Sequence, residues 1–257
     1  MKVLVVSDVH GAFEALEEVV KRGEIVLILG DLINLLDYRT QEGIIVDVLG
    51  REFGVAVAGH RAAGDYAAMR QAWTTIVGER RDAVRAAIDE AVVAEYDKCR
   101  AALKSAVGFC TYGNVDNPVL LRESLPATMK FVDGEVVEIG GLRFGFVGGG
   151  ISTPMAGAGE VTDDEMNRKL GAIGPVDVLC SHLPPAIDSL CTDVITGKRE
   201  RSSQPILEYL RTHQPIRHFY GDVHQPQAST WRVGRTRCQN VGYFRATRRP
   251  VIFEFED

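Results

Sequence analysis

The chain has 257 residues, of which 46% are hydrophobic and 25% charged, and its formal net charge is −6. That much apolar material supports a substantial core and excludes a disordered chain. The acidic balance argues against a nucleic-acid polymer or an anionic membrane as partner, because phosphate-rich surfaces demand a basic footprint.

Residues 2–6 are rich in β-branched valine, which predicts a buried strand. Residues 13–21 then place Phe13, Leu16, Val19 and Val20 at helical spacing, and a second strand over 25–29 ends at Gly30-Asp31. Two buried-type strands around a helix imply a parallel pair with a right-handed crossover. From Leu32 to Phe109 the texture turns alanine-rich and charged. Asp65 is placed to cap a helix in which Tyr66, Met69, Trp73 and Ile76 share a face, and a longer helix follows with Val84, Ile88, Val92, Tyr96, Cys99 and Leu103 on one stripe. Strand signals resume directly afterwards. Residues of about 40–106 therefore read as a helical insertion in a single domain spanning 1–257, expected to pack on a sheet, with a lid over a site as the alternative.

The remainder is mostly β. Residues 135–139 and 142–147 flank Gly140-Gly141 and read as a hairpin. Further strands are expected at 109–112, 176–180, 218–220, 228–233, 236–241 and 251–255, with a helix around 205–211. Strands in this number with flanking helices predict an α+β, αββα architecture: two packed mixed sheets covered by helices. No apolar run is long enough to span a bilayer, and residues 1–6 turn polar too soon for a signal-peptide core, so a cytoplasmic protein without a membrane partner is expected. Cys99, Cys110, Cys180, Cys191 and Cys238 are odd in number and form no C-x-x-C pair, which predicts buried thiols rather than disulfides or a zinc site.

The chemistry-bearing residues sit where strands end. Asp8 and His10 follow the first strand, Asp31 the second, and Gly113-Asn114-Val115-Asp116 the strand at 109–112. His182 follows the run at 176–180, and Gly221-Asp222-Val223-His224 follows 218–220. Taken singly, each has an ordinary explanation: a Gly-Asp turn, a helix cap, a loop histidine. Together they place oxygen and imidazole donors at the carboxyl ends of adjacent strands, where open α/β sheets bind ligands, in a mixture suited to divalent cations.

In this order the motifs resemble the calcineurin-like metallophosphoesterases, whose pattern runs D-x-H, G-D, G-N-x-[DE], a histidine, then G-H-x-H. The likeness extends from residue 5 to about 242, where Asn240-Val241-Gly242 is similar to an Asn-x-Gly turn carried by many members, and its closest flavour is the small bacterial phosphodiesterase type. The resemblance implies hydrolysis of a small phosphate ester by a hydroxide bridging two divalent ions, expected to be Mn2+, with Fe, Zn, Ni or Mg as alternatives. It implies that Asp8, His10 and His224 hold one ion, Asn114 and His182 the other, and that Asp31 bridges them. Two departures stand out. Val115 occupies a position where many members have a histidine thought to protonate the leaving group or bind phosphate, and His60 on the insertion is the spare histidine for that role, against a plain surface role. Asp222 stands where the family has a ligand histidine, although a carboxylate can still coordinate. Gly148-Gly149-Gly150, Lys198, Arg199, Arg201, Tyr38 and Arg39 are further candidates for contact with a phosphate, against plain loop and surface roles. The alternative to an enzyme is a degenerate scaffold of the same fold that serves as a protein-binding module.

Overall fold

The opening run forms β1 (Lys2–Val6), helix α1 (Phe13–Val20) crosses over, and β2 (Ile25–Leu29) pairs parallel to β1. The apolar face of α1 is the expected one: Phe13, Leu16, Val19 and Val20 are buried. The structure, a computed structural model, describes residues 1–153 and 157–256.

Residues Ile33–Lys98 make a compact unit of their own. It carries α2 (Ile44–Leu49), α3 (Arg51–Ala63), α4 (Tyr66–Val77) and most of α5 (Arg81–Ala102). Asp65 caps α4, accepting a hydrogen bond from the Ala68 amide at 2.8 Å, a contact worth about 1 kcal/mol. Phe53, Val57 and Met69 form a small core against which Tyr66, Trp73 and Ile76 pack, and the Phe53 and Trp73 rings meet edge to face at 5.8 Å. Helix α3 has no counterpart among the expected elements. Its strong apolar positions, Phe53, Val55 and Val57, recur every second residue and so show no helical period, and of these only Phe53 and Val57 are buried.

The other unit comprises Met1–Leu32 and Cys99–Asp257. After α5 it continues with β3 (Gly108–Thr111), α6 (Pro118–Ser124) and β4 (Met129–Phe131). The expected hairpin is present as β5 (Glu135–Ile139) and β6 (Leu142–Val147), paired antiparallel. Two short strands, β7 (Gly150–Ile151) and β8 (Glu160–Val161), precede α7 (Asp163–Ile173). Then come β9 (Val178–Ser181), α8 (Asp188–Cys191), α9 (Gln204–His213) and β10 (Arg217–Tyr220). The chain closes through β11 (Thr230–Val233), β12 (Thr236–Asn240), α10 (Phe244–Thr247) and β13 (Val251–Glu254). Helix α7 is also absent from the expected elements, although Thr162 and Glu165 form a full capping box at its start.

Among the described residues these strands make one sheet of order β13-β1-β2-β3-β4 and another of order β11-β12-β10-β9-β6-β5. Both are mixed, with parallel interiors and antiparallel strands at β13, β11 and β5. Their inner faces share one core: Val3, Val5, Leu27 and Leu29 meet Phe144, Phe146, Val178 and Phe219. Burying each such side chain stabilises the fold by roughly 1.5–3 kcal/mol. Helices cover the outer faces, as where Ile173 of α7 lies over Gly145 of β6. The parallel strands β1, β2, β3, β9 and β10 therefore end beside one another, and the loops at those ends build the site.

Candidate metal centre

Four of the loop residues at these strand ends have left-handed backbone: Asp8, His10, Asp31 and Asp222, with φ of 59°, 42°, 55° and 66°. Each such residue costs on the order of 1 kcal/mol, and it persists only where its surroundings over-determine it. Here backbone bonds do so. The Asp8 amide donates to the Gly30 carbonyl at 3.1 Å, the His10 amide to that of Asp31 at 2.9 Å, and the Gly221 amide to that of His182 at 2.9 Å. The loops pack too closely for side chains at two points: a Cβ at Gly113 would run into the Asp31 carboxylate and the His182 ring, and one at Gly221 into Asp8.

All seven expected residues come together. His10 Nε2 and His224 Nε2 lie 3.1 Å apart, and His224 Nε2 is 3.4 Å from Asp8 Oδ1. His182 Nε2 lies 3.1 Å from Asn114 Oδ1, 3.5 Å from Asp31 Oδ1 and 3.6 Å from Asp222 Oδ1. Asp31 thus faces both ways, because its Oδ2 is 3.6 Å from His10 Nε2. Asp8, Asp31 and His182 are buried. Two triads, Asp8–His10–His224 and Asp8–Asp31–His182, have ligand atoms within 4.8 Å of one another.

This is a concentration of acceptors. His182 Nδ1 bonds the Leu29 carbonyl at 2.9 Å, so the neutral ring turns a lone pair, not a proton, towards Asn114, Asp31 and Asp222. Three carboxylates and three imidazoles then converge with too few donors, and only protons or cations can resolve that. The shifts agree. Burial pulls the His182 pKa down, but the Asp31 charge and hydrogen bonds to Asp222 and Asp31 outweigh it and hold the ring well above its usual value. For His224 burial is likewise outweighed, here by Asp8. Burial pushes the Asp31 carboxyl up, yet the His182 charge and hydrogen bond bring it well below the carboxylate range. The same field would hold a metal ion, with proton and cation in competition. The donor set therefore fits divalent metal.

A model of the calcineurin-like phosphoesterases matches residues 1–226. The chain belongs to that family. The family's chemistry is metal-dependent hydrolysis of phosphoesters, and the donor groups described above are of the kind it requires. Solved structures share the fold of this phosphoesterase. One crystal structure has 14% sequence identity and a TM-score of 0.61, with 99% of each chain covered. The crystal structure of TT1561 of Thermus thermophilus also has 14% identity, with a TM-score of 0.54 over 98% of this chain and 97% of its own. None of the curated proteins matches the chain. Among the described residues no helix is long and apolar enough to cross a membrane.

Two residues of this calcineurin-like phosphoesterase have roles that motif spacing did not reveal. Asp116 is buried and accepts from three backbone amides, those of Asp31 (2.7 Å), Leu32 (3.0 Å) and Gly113 (2.9 Å). It ties the Asp31 turn to the Asn114 loop. Burial, followed by the Asp31 charge, pushes its pKa up to about 6. Tyr243 stacks on His224 with ring centroids 3.9 Å apart and meets His10 edge-on at 6.0 Å. Its turn is held by the Gly242 amide donating to Asn240 Oδ1 at 2.9 Å and by the Arg245 amide donating to the Asp8 carbonyl at 3.1 Å.

Other expected contacts have structural occupations. Gly150 makes room for the Asn114 side chain rather than for a ligand. Arg201 donates to the carbonyls of Ile151 and Ser152, and Arg199 pairs with Asp188 at 3.1 Å. In the helical unit Arg61 lies over the Tyr38 ring at 4.2 Å, the Arg39 amide bonds Asp37, and His60 sits on α3 with its carbonyl accepting from the Asp65 amide. Cys99, Cys110, Cys180, Cys191 and Cys238 are all buried thiols outside any disulfide.

Proposed function

We propose that this phosphoesterase is a cytoplasmic, dinuclear phosphodiesterase that acts on a small phosphate ester and favours Mn2+. The two-sided Asp31 carboxylate carries the reading: Oδ2 faces His10 and Oδ1 faces His182, each at about the same distance (3.6 and 3.5 Å). Asp8, His10 and His224 would hold one ion, Asn114, His182 and Asp222 the second, with Asp31 between them. When bound, the two cations would supply Lewis acidity to the phosphoryl group and acidify an attacking water. Asn114 contributes an oxygen without charge. Asp222 adds a third carboxylate to Asp8 and Asp31, so the site is one unit more negative than with a histidine there. A monoanionic diester suffers less from that unit than a dianionic monoester. The hard oxygen of Asp222 also leans the second position towards Mn or Mg over Zn. Five buried thiols outside any disulfide accord with a reducing compartment.

The test compares wild type with Asp222→His on bis(p-nitrophenyl) phosphate and p-nitrophenyl phosphate, with Mn2+ or Zn2+ and metal content measured. One unit of charge at close range should shift the diester-to-monoester ratio of kcat/KM towards the monoester by about tenfold or more. An unchanged ratio with both ions bound would show that Asp222 does not set the preference.

A further inference from the structure

The net charge of −6 conceals a strong segregation: residues 211–249 hold eight arginines and a single acid, Asp222. The structure arranges three of these arginines in a line. Arg232 on β11 lies directly opposite Arg237 on β12, and Arg237 directly opposite Arg217 on β10. Residues in register share a face, so three guanidinium side chains cross three neighbouring strands in a row roughly 10 Å long. Like charges placed directly opposite destabilise a sheet. Among the described residues no carboxylate pairs with any of the three. Arg217 instead lies 5.6 Å over the Phe253 ring and donates to the Ile216 carbonyl at 3.2 Å.

The row reaches the open edge of the sheet. Among the described residues β11 pairs only with β12. Trp231 and Val233 point to the opposite face from Arg232, and Trp231 is 43% exposed. Beside them lies a cavity of about 400 Å³ whose lining includes Ile187, Leu207, Arg211, Trp231 and Val233, with Arg232 itself contributing to the lining at the strand edge. Asp188 is the acid there, and Arg199 already engages it at 3.1 Å.

We propose that β11 is a docking edge for an extended acidic polypeptide segment in which carboxylates alternate with apolar side chains. A strand added to β11 would present successive side chains to opposite faces. Its carboxylates then meet the arginine row, while its apolar residues meet Trp231 and the cavity. The shortness of the row selects a peptide over a nucleic acid. A polynucleotide needs a continuous basic track, and outside residues 211–249 this chain is more acidic than its total of −6 indicates. The surface is separate from the metal centre: Arg217 opens β10, whereas Asp222 and His224 lie beyond its other end, about 13 Å or more along the strand. It would therefore anchor a partner without entering the reaction.

The probe is a fluorescein-labelled nine-residue peptide alternating glutamate with valine or leucine, titrated against the whole protein at low ionic strength. Saturable binding that weakens with added salt is expected. Arg232→Glu combined with Arg237→Glu should weaken it by about tenfold or more, and Trp231→Ala should weaken it too, with hydrolysis of a nitrophenyl ester unchanged. Arg232→Gln with Arg237→Gln guards against misfolding, since it should lower affinity while leaving Tm equal to or above wild type. The proposal fails if no binding is seen up to about 1 mM peptide, or if a shuffled peptide of the same composition binds equally well. It also fails if the arginine variants bind normally, or if oligothymidylate of matched charge competes for the row more tightly.

Discussion

Removing the carboxylate of Asp116 tests whether the site depends on a clamp that holds Asp31 through its backbone amide alone. Oδ2 accepts from the amides of Asp31 and Gly113, and Oδ1 accepts from Leu32. Asp116→Ala leaves three buried N–H groups without an acceptor. Each costs roughly 1–3 kcal/mol, so the total is on the order of 5 kcal/mol, a large share of an ordinary stability of about 5–15 kcal/mol. Asp116→Asn keeps one oxygen, which can still serve Asp31 and Gly113, but turns an NH2 group towards the Leu32 amide. Relief of repulsion from Asp31 offsets part of that loss, and a cost of about 1–3 kcal/mol remains. Urea unfolding of the two variants, with m-values compared, measures both numbers. Mn2+ titration of the folded Asn variant measures the consequence for Asp31, whose backbone the clamp positions. An alanine variant within about 1 kcal/mol of wild type would refute the reasoning, since the three amides would then have found other acceptors.

Three further outcomes are expected. Tyr243→Phe should keep the stacked ring and bind Mn2+ as wild type does, whereas Tyr243→Ala should lose affinity by about 10–100-fold, as when an outer-shell partner of a ligand is removed; calorimetric titration decides, and equal affinities would deny the ring a positioning role. His218 is fully buried, and that burial pushes its pKa down to about 3. The folded chain therefore leaves this ring neutral where the unfolded chain protonates it, so its contribution is complete above about pH 6.5 and is lost as pH falls towards 3, by about 2 kcal/mol between pH 6.5 and 5. His218→Gln should remove that slope from the difference between urea curves at the two pH values, and an unaltered slope would place the effect elsewhere. With Val115 unable to give a proton, nitrophenyl esters should be cleaved faster than alkyl esters by more than leaving-group chemistry with a general acid allows, an acid being worth about 10²–10⁴-fold; equal rates would show that another group donates.

The parts of this fold that were legible in the sequence are those set by local chemistry. β1 and β2 follow from apolar runs rich in valine and isoleucine, the β5–β6 hairpin from its Gly-Gly turn, and the α4 start from Asp65. The residues proposed as metal donors were legible too, because Asp8, Asp31, Asn114, His182 and His224 each fall where a strong strand signal stops. Features that rest on pairing between distant segments were not. Asp116 bonds residues 84 and 85 positions away, and Tyr243 reaches the His224 ring only because its turn is bonded to the end of β1. The arginine row depends on the register of β10, β11 and β12, and a total charge hides it. Helix α7 is a different case: its Thr162–Glu165 capping signal stood in the sequence, but without a long apolar period to accompany it.

The pairing of β1 with β13, from Lys2 opposite Glu254 to Val5 opposite Val251, has a consequence for biosynthesis. β1 leaves the ribosome about 250 residues ahead of its partner β13. At roughly 5–20 residues per second, the edge of β1 stays open for on the order of 10–50 seconds while the rest is made. During that time its backbone groups and the apolar side chains of Val3 and Val5 are open to pairing with other nascent chains. The candidate donor residues are strung out in the same way, from Asp8 to His224, so the proposed metal centre would need a chain made beyond His224. Under the proposed function, metal uptake would report that synthesis has passed His224 and that β1 is close to gaining its partner strand.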